Sequence, residues 1–531
     1  MKTILFLLLL SSGVYSQDFT VNIIHYGAKG DGVTNNTGPI QEAIDTIHEK
    51  GGGIVWVPAG NFVTGVLFLK TGVNIHLQKG AVLTGSSVRL DYGNGNASAL
   101  IRSEGQSDIS ITGEGIINGN GIAIVHNLLE QLKAGVLKDA KWKIKRPAEN
   151  NLPKIIDFTG CNHINIKGIT LINGATWVQQ YLRCNDLVID SITVNSISNW
   201  NNDGMDITDT KNVVVTRCNI NASDDAICLK SEGSVLDSCV NVYVADCILR
   251  SSANGFKLGT ASKGGFRNIK VRNLEIYDTY RSAIALEAVD GGFLEQVDIQ
   301  HIKAKNTGSA ILIRLGHRNK DAKYSVVRHI RITDVKVEVP AGKPDKGYTM
   351  EGPLLKYPPG FKPDKNRIQS VSPWNNSGFD STAIPYQHNV FPSSITGLPG
   401  HPVEDIVLEN MEIIYEGGAS KTVNYFPLDS LAGITEAPAA YPEFSMFGEL
   451  PVWGIYVRHA EAVVMKNIRL RYQTTDYRAA MVFDDVNLLE LKGVQVPTAE
   501  EFPVIVFKDV KNRTIKNIKL AKGSGNTIRV Q

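Results

Sequence analysis

Asp203, Asp224 and Asp225 lie in one stretch, NNDGMDITDTKNVVVTRCNINASDDAICLKS (201–231), the second and third following the first by 21 and 22 residues. If the chain coils with a repeat near that length, the three carboxylates meet on neighbouring turns. Clustered carboxylates raise one another's proton affinity, so one can keep a proton while another stays charged. That is what cleavage of a glycosidic bond by paired acid and base requires, and attack by water from the opposite side needs the two about 6.5–9.5 Å apart. Adjacent residues of a regular strand point to opposite faces. The backbone must therefore turn at Ser223–Asp225 for Asp224 and Asp225 to share an outer face. Asp206 and Asp209 read instead as turn residues accepting backbone N–H groups.

The elements that would position these acids recur along the chain. ISITGEGIING (109), INIKGITLING (164), LVIDSITVNS (187), VVVTRCNINA (213), VYVADCILRS (242) and IKVRNLEIYD (269) are short alternating segments, spaced from the second onward by 23, 26, 29 and 27 residues. Val and Ile alternating with polar residues predicts strands with one buried face, and a period in the twenties predicts a solenoid. A leucine-rich repeat would need a regular Leu framework and an Asn ladder, and the sequence reads as lacking both. The expected fold is all-β: a parallel β-helix with coils about 4.8 Å apart. It would form a single domain over 17–531. Ile40, Ala43, Ile44 and Ile47 fall at helical spacing and predict an N-terminal cap helix over the first coil. Two inserts interrupt the repeat, 340–402 and 416–455, and carry aromatics including Tyr357, Trp374, Tyr441, Phe444, Phe447 and Trp453. Loops of that length are commonly functional; these would close the ends of a groove and favour action at a chain terminus.

With 55 basic and 53 acidic residues, the +2 formal charge offers no basis for nucleic acid as a partner. The opening MKTILFLLLLSSGVYSQ has the layout of an export signal over 1–16, which predicts a secreted or periplasmic protein, and no later stretch reads as a membrane span. A monomer is expected. The six cysteines show no metal-cage spacing, and neither metal nor cofactor is expected. Cys161 with Cys184, and Cys218 with Cys247, hold equivalent places in successive segments, so each pair is either bridged or stacked; stacking is the reading taken.

NNDGMD followed by SDDAICLK resembles the Asn-Thr-Asp-Gly and Gln-Asp-Asp motifs of the polygalacturonase-type glycoside hydrolases of family 28, with Asn202 where Thr is usual and Ser223 where Gln is usual. The resemblance extends over about 19–525 and implies a right-handed parallel β-helix. It also implies an inverting hydrolase acting on a pectic, galacturonate-containing poly- or oligosaccharide, in which Asp224 is the general acid and Asp225 with Asp203 activates water. Two motifs depart from the family. Asn254, in SSANGFKLGT, replaces a His, and RSAIALEAVDGG (281–292) replaces the Arg-Ile-Lys that clamps a uronate carboxylate. Candidate substrate contacts are therefore Asn202, Lys230, Asn254, Lys257, Arg281, Glu287 and Arg314. Arg314 is the preferred replacement cation, because its fork suits a carboxylate; Arg318 is a further candidate. Glu287 is better suited to sugar hydroxyls than to a uronate. A polysaccharide lyase and a non-catalytic carbohydrate-binding β-helix are the alternatives.

Overall fold

The computed structural model describes residues 19–140, 142, 146–342, 344–345, 348, 391–418, 428–448, 450–497, 503–520 and 528–530. The expected export signal, Tyr357 and Trp374 lie outside these.

Each coil contributes three short strands, and each strand pairs in parallel with its counterpart one coil later. Gln179–Leu182 pairs with Met205–Thr208, Asn185–Asp190 with Lys211–Thr216, and Thr193–Ser196 with Asn219–Ala222. The result is the expected right-handed parallel β-helix. Its core is a set of in-register columns. One runs Leu187, Val213, Val242, Ile269, Val297, Ile330, Ile406, Val463, Leu489, and every member is buried. Branched apolar side chains stack well at the strand spacing, which is why the alternating segments repeat Val and Ile.

The Asn of each repeat has its own cause. Asn212, Asn241 and Asn268 stand at corners with φ between 55° and 59°, a left-handed conformation that Asn tolerates better than most residues. The expectation that an Asn ladder is missing is corrected here, because their amides form one: Asn212 donates to Asn185 at 3.1 Å, Asn241 to Asn212 at 3.0 Å and Asn268 to Asn241 at 2.7 Å. Asn241→Ala removes two rungs and leaves a Cβ residue at positive φ. A loss of about 1–2 kcal/mol is expected, with Asn241→Gly recovering the conformational part, as read by urea denaturation.

The helix Thr37–Glu49 buries Ile40, Ala43, Ile44 and Ile47 and covers the first coil as expected. It enters the solenoid through Gly53, whose φ of 146° and closeness to the Phe19 carbonyl leave no room for a Cβ. A second helix, Gly121–Lys133, was not apparent from the repeat. It buries Ile124, Val125, Leu128 and Leu132 at helical spacing, and Asn127 on it accepts the Arg89 N–H at 2.9 Å. All six cysteines are buried free thiols. Those of the stacked pairs donate weakly to backbone carbonyls, as in Cys184 to Phe158 (3.4 Å) and Cys247 to Ala245 (3.2 Å).

One outward-facing row decides where a groove can form. In register along one side it reads Arg102, Asp157, Gln180, Asp206, Cys228, Lys257, Ala285, Leu312, Ser394, Tyr456, Val482, Val506. The early coils present polar side chains on this face. In the late coils Tyr456, Val482 and Val506 are apolar and buried beneath Leu431, Ile434, Phe447 and Leu450 of the second insert. Among the described residues the insert is thus packed onto the sheet as a lid over the late coils, while the early coils keep polar side chains on this face. No helix among the described residues is long and apolar enough to cross a membrane.

Candidate active site

The polar face and the buried lid meet at the expected acids. The strand Asn219–Ala222 ends before Ser223, and the next, Ile227–Ser231, begins after Ala226, so the backbone turns where the paired aspartates require it. Asp224 is partly exposed, and its Oδ1 accepts the N–H of Asp225 at 2.9 Å. Asp225 turns inward. Its Oδ1 accepts the Asn254 N–H (3.0 Å) and Nδ2 (2.8 Å), and its Oδ2 accepts Lys257 Nζ at 3.0 Å. Asp203 lies one coil earlier and shares Lys230 with Asp206: Lys230 Nζ donates to Asp203 Oδ2 at 2.9 Å and also to Asp206. Trp177 caps that ammonium, its ring centroid 4.1 Å away.

These surroundings separate the acids by proton affinity. Burial would raise Asp225, but Lys257, Lys230 and Arg281 outweigh it and hold the carboxyl down to about 2. Burial and the neighbouring Asp206 push Asp203 well above the ordinary carboxylate range, against Lys230. Burial likewise raises Asp206. Burial disfavours the charged form of Lys230, yet Asp203 and Asp206 keep it firmly protonated. One carboxylate is therefore fixed as charged and another favours its proton, the division acid–base chemistry uses.

The remaining expected contacts are placed as follows. Asn202 is fully buried and turned inward: it accepts from Ser196 (3.0 Å) and the Asn199 N–H (3.2 Å), and donates to the Gly174 (3.1 Å) and Thr176 (2.8 Å) carbonyls. It holds the loop that carries Asp203 and does not face the groove. Asn254 is committed to Asp225 and, through Oδ1, to the Ser282 N–H at 3.2 Å; it positions the carboxylate and contacts no open space. Arg314, the preferred uronate clamp, is a correction. Its guanidinium is buried against the Gly397 (3.2 Å), Glu436 (2.6 Å) and Ala437 (3.3 Å) carbonyls, where it anchors the second insert. Asp206 is also corrected: it sits within the strand Met205–Thr208, not in a turn, and is paired with Lys230. Asp209 does accept backbone N–H groups, from Glu232 and Gly233. His317 and His401 stack on either side of Tyr324, with ring centroids 4.1 and 3.5 Å apart.

Lys257, which reads in the sequence as readily as a solvated strand-edge residue, is buried. It donates to Tyr441 of the second insert at 3.0 Å and lies 3.9 Å from Glu287. Arg281 stands 3.4 Å from Glu443 and faces the Tyr441 ring. Behind them Tyr280, Phe391 and Phe444 form an edge-to-face aromatic cluster that joins the end of the first insert to the second. Trp177, Asp206 and Glu443 were not singled out as site residues by spacing. Among the described residues, donor atoms close enough to share a metal occur at Asp203, Asp225 and Cys228, but both carboxylates already face ammonium groups and the Cys228 thiol donates to the Gly259 carbonyl at 3.0 Å.

Burial is the main reason Glu287 is lifted from 4.5 to about 7, against Lys257 and a 2.8 Å hydrogen bond from Thr260. Because the folded protein holds this proton more tightly than the unfolded chain, its contribution declines as pH rises from 4.5 to about 7, a loss of about 3 kcal/mol. Glu287→Gln is expected to flatten stability across that window in urea denaturation; an unchanged slope would contradict it.

Fold and site together define a parallel β-helix with a carboxylate cluster on its side, next to the second insert. Within that class, the chain belongs to the glycosyl hydrolases family 28, whose family model matches residues 53–349. It is 26% identical over 322 residues to an exo-poly-alpha-D-galacturonosidase of Dickeya chrysanthemi, an alignment covering 51% of this chain and 53% of that protein; the chain thus spans about half the length of that relative. In structure it is similar to a hyperthermoactive exopolygalacturonase from Thermotoga maritima (TM-score 0.58, 20% identity, covering 86% of this chain and 92% of that one). It is also similar to a family 28 exopolygalacturonase from Yersinia enterocolitica (TM-score 0.54, 16% identity, covering 96% and 79%). At these identities the structural likeness concerns the fold.

Proposed function

We propose that the protein is an inverting glycoside hydrolase that acts outside the cytoplasm as a monomer and cleaves a pectic, galacturonate-containing chain from one end. The observation that carries this is the placement of Asp225, charged and locked by Lys257 and Asn254, beside the partly exposed Asp224 at the point where the groove ends. Asp224, reached from the groove, protonates the leaving oxygen. Asp225, held charged, takes the proton of a water in a single displacement, and Asp203, which favours its own proton, helps to orient that water.

Action from a terminus is supported by the lid over the late coils. A polymer approaching over the early coils, past Arg102 and Asp157, meets Tyr441 and Glu443 of the second insert beside the acids, which favours binding of a chain end. Names of relatives such as the Dickeya galacturonosidase agree with this mode. The test is a time course on pectic polysaccharide and defined oligosaccharides, following product size. One short product from the first minutes supports the reading, whereas an early ladder of sizes overturns terminal action. Unsaturated, ultraviolet-absorbing ends would make the protein a lyase.

A further inference from the structure

The turn that carries Asp224 and Asp225 is held from both neighbouring sides. From the earlier coil, the Asn202 carbonyl accepts the Asp224 N–H at 3.3 Å and the Asn199 carbonyl accepts the Ser223 hydroxyl at 2.5 Å. From the later coil, Ser251 Oγ donates to the Asp224 carbonyl at 2.6 Å. Arg250 Nη1 donates at 3.0 Å to the carbonyl of Ala222, the last residue before the turn, and Arg250 Nη2 donates to Ser252 Oγ at 2.7 Å. The Ser252 N–H reaches the same Ala222 carbonyl at 3.2 Å. One guanidinium thus ties the start of the turn to the strand Cys239–Ser251 of the next coil.

A buried guanidinium is costly unless its surroundings replace water. Arg250 is fully buried, and the start of the first insert supplies its cover. The Tyr348 ring lies over it, the guanidinium carbon 3.5 Å from the ring centroid, and Asp345, also buried, stands 3.9 Å away. This end of the insert is fastened in turn: Tyr348 donates to Asp278 at 2.8 Å, and Asn306 donates to Asp278 at 2.7 Å and to the Pro344 carbonyl at 2.5 Å. A lysine in place of Arg250 would keep the charge but lose the planar fork that spans Ala222 and Ser252 and the flat face that Tyr348 covers. We infer that Arg250 is a positioning residue for the Asp224–Asp225 turn, and that the start of the first insert, through Tyr348 and Asp345, locks it in place. This rests on the glycosidase reading above. Through Tyr348 the insert acts on the acids by way of the backbone.

The experiment uncovers the guanidinium with Tyr348→Ala and compares it with Tyr348→Phe, which keeps the ring over Arg250. On a pectic oligosaccharide the Ala variant is expected to lose at least ~10-fold in kcat with KM little changed, since a misplacement of about 1 Å at a reacting group costs ~10²-fold. The Phe variant is expected to recover most of that loss, and Arg250→Lys to lose kcat as the Ala variant does. Wild-type kcat in Tyr348→Ala or Arg250→Lys, a loss carried in KM alone, or an equal loss in the Phe and Ala variants overturns the inference. Hydrogen exchange reads the turn without reference to activity. The amides of Ser223–Asp225 are expected to exchange ~10-fold faster in Tyr348→Ala, with those of the strand Lys211–Thr216 unchanged. Unchanged exchange at the turn, or equal acceleration of both segments, overturns the inference. If the wild-type protein cleaves no pectic substrate, the glycosidase reading fails, and the exchange comparison then decides by itself whether Arg250 and Tyr348 hold the turn.

Discussion

Asp225→Asn is expected to lower kcat by roughly 10²–10⁴-fold, the range general acid–base catalysis supplies, with KM little changed. The substitution keeps the shape and the acceptor for Asn254 but removes the charge that takes a proton from water. Asp224→Asn should cause a loss of similar size by removing the donor to the leaving oxygen. The check is steady-state kinetics on an oligosaccharide substrate, alongside thermal unfolding to show the fold is intact. A pH signature separates charge from shape. Asp225 is depressed from 3.8 to about 2 by its cations, which outweigh its burial. Its contribution is therefore present above 3.8 and lost as pH falls through about 2, amounting to about 2 kcal/mol. The Asn variant should lack that acid limb. A carbohydrate-binding β-helix with vestigial acids would show no turnover for either substitution to remove.

Lys230→Met should have the largest effect on stability. Its ammonium is the buried partner of both Asp203 and Asp206, and removing one side of a buried pair strands the remaining charge, at a cost of about 3–5 kcal/mol near neutral pH. Asp203 and Asp206 already have raised proton affinities, and losing Lys230 raises them further. The deficit should therefore shrink as pH falls and both carboxyls take up protons. Adding Asp206→Asn should restore part of the loss. Urea denaturation of the single and double variants across pH checks this, and a pH-independent deficit would contradict it.

The coils, the cap helix and the meeting of Asp203 with Asp224 and Asp225 were legible because each rests on a local pattern. Alternation marks buried columns, helical spacing marks the cap, and 21 residues is close to one turn of the solenoid. The environment of the acids was harder to read. Lys230 and Lys257 occupy outward strand positions, and nothing in a local alternation distinguishes a solvated lysine from one covered by an insert lying far along the chain. Tyr441 stands 184 residues from Lys257, and only the folded lid brings them together. Arg314 misled for the same reason: an arginine at a strand end has the fork a uronate needs, yet the insert's carbonyls reach it first. Asp206 looked like a turn residue beside Asp209, but the period of two in Met205–Thr208 places it outward on the strand, toward Lys230.

The most direct test of the central claim is the configuration of the first-formed product, followed by proton NMR of the anomeric signals during hydrolysis of an α-linked galacturonate oligosaccharide. A single displacement by water predicts that the β anomer appears first and equilibrates later. Initial release of the α anomer would require a covalent intermediate and would contradict the roles assigned to Asp224, Asp225 and Asp203.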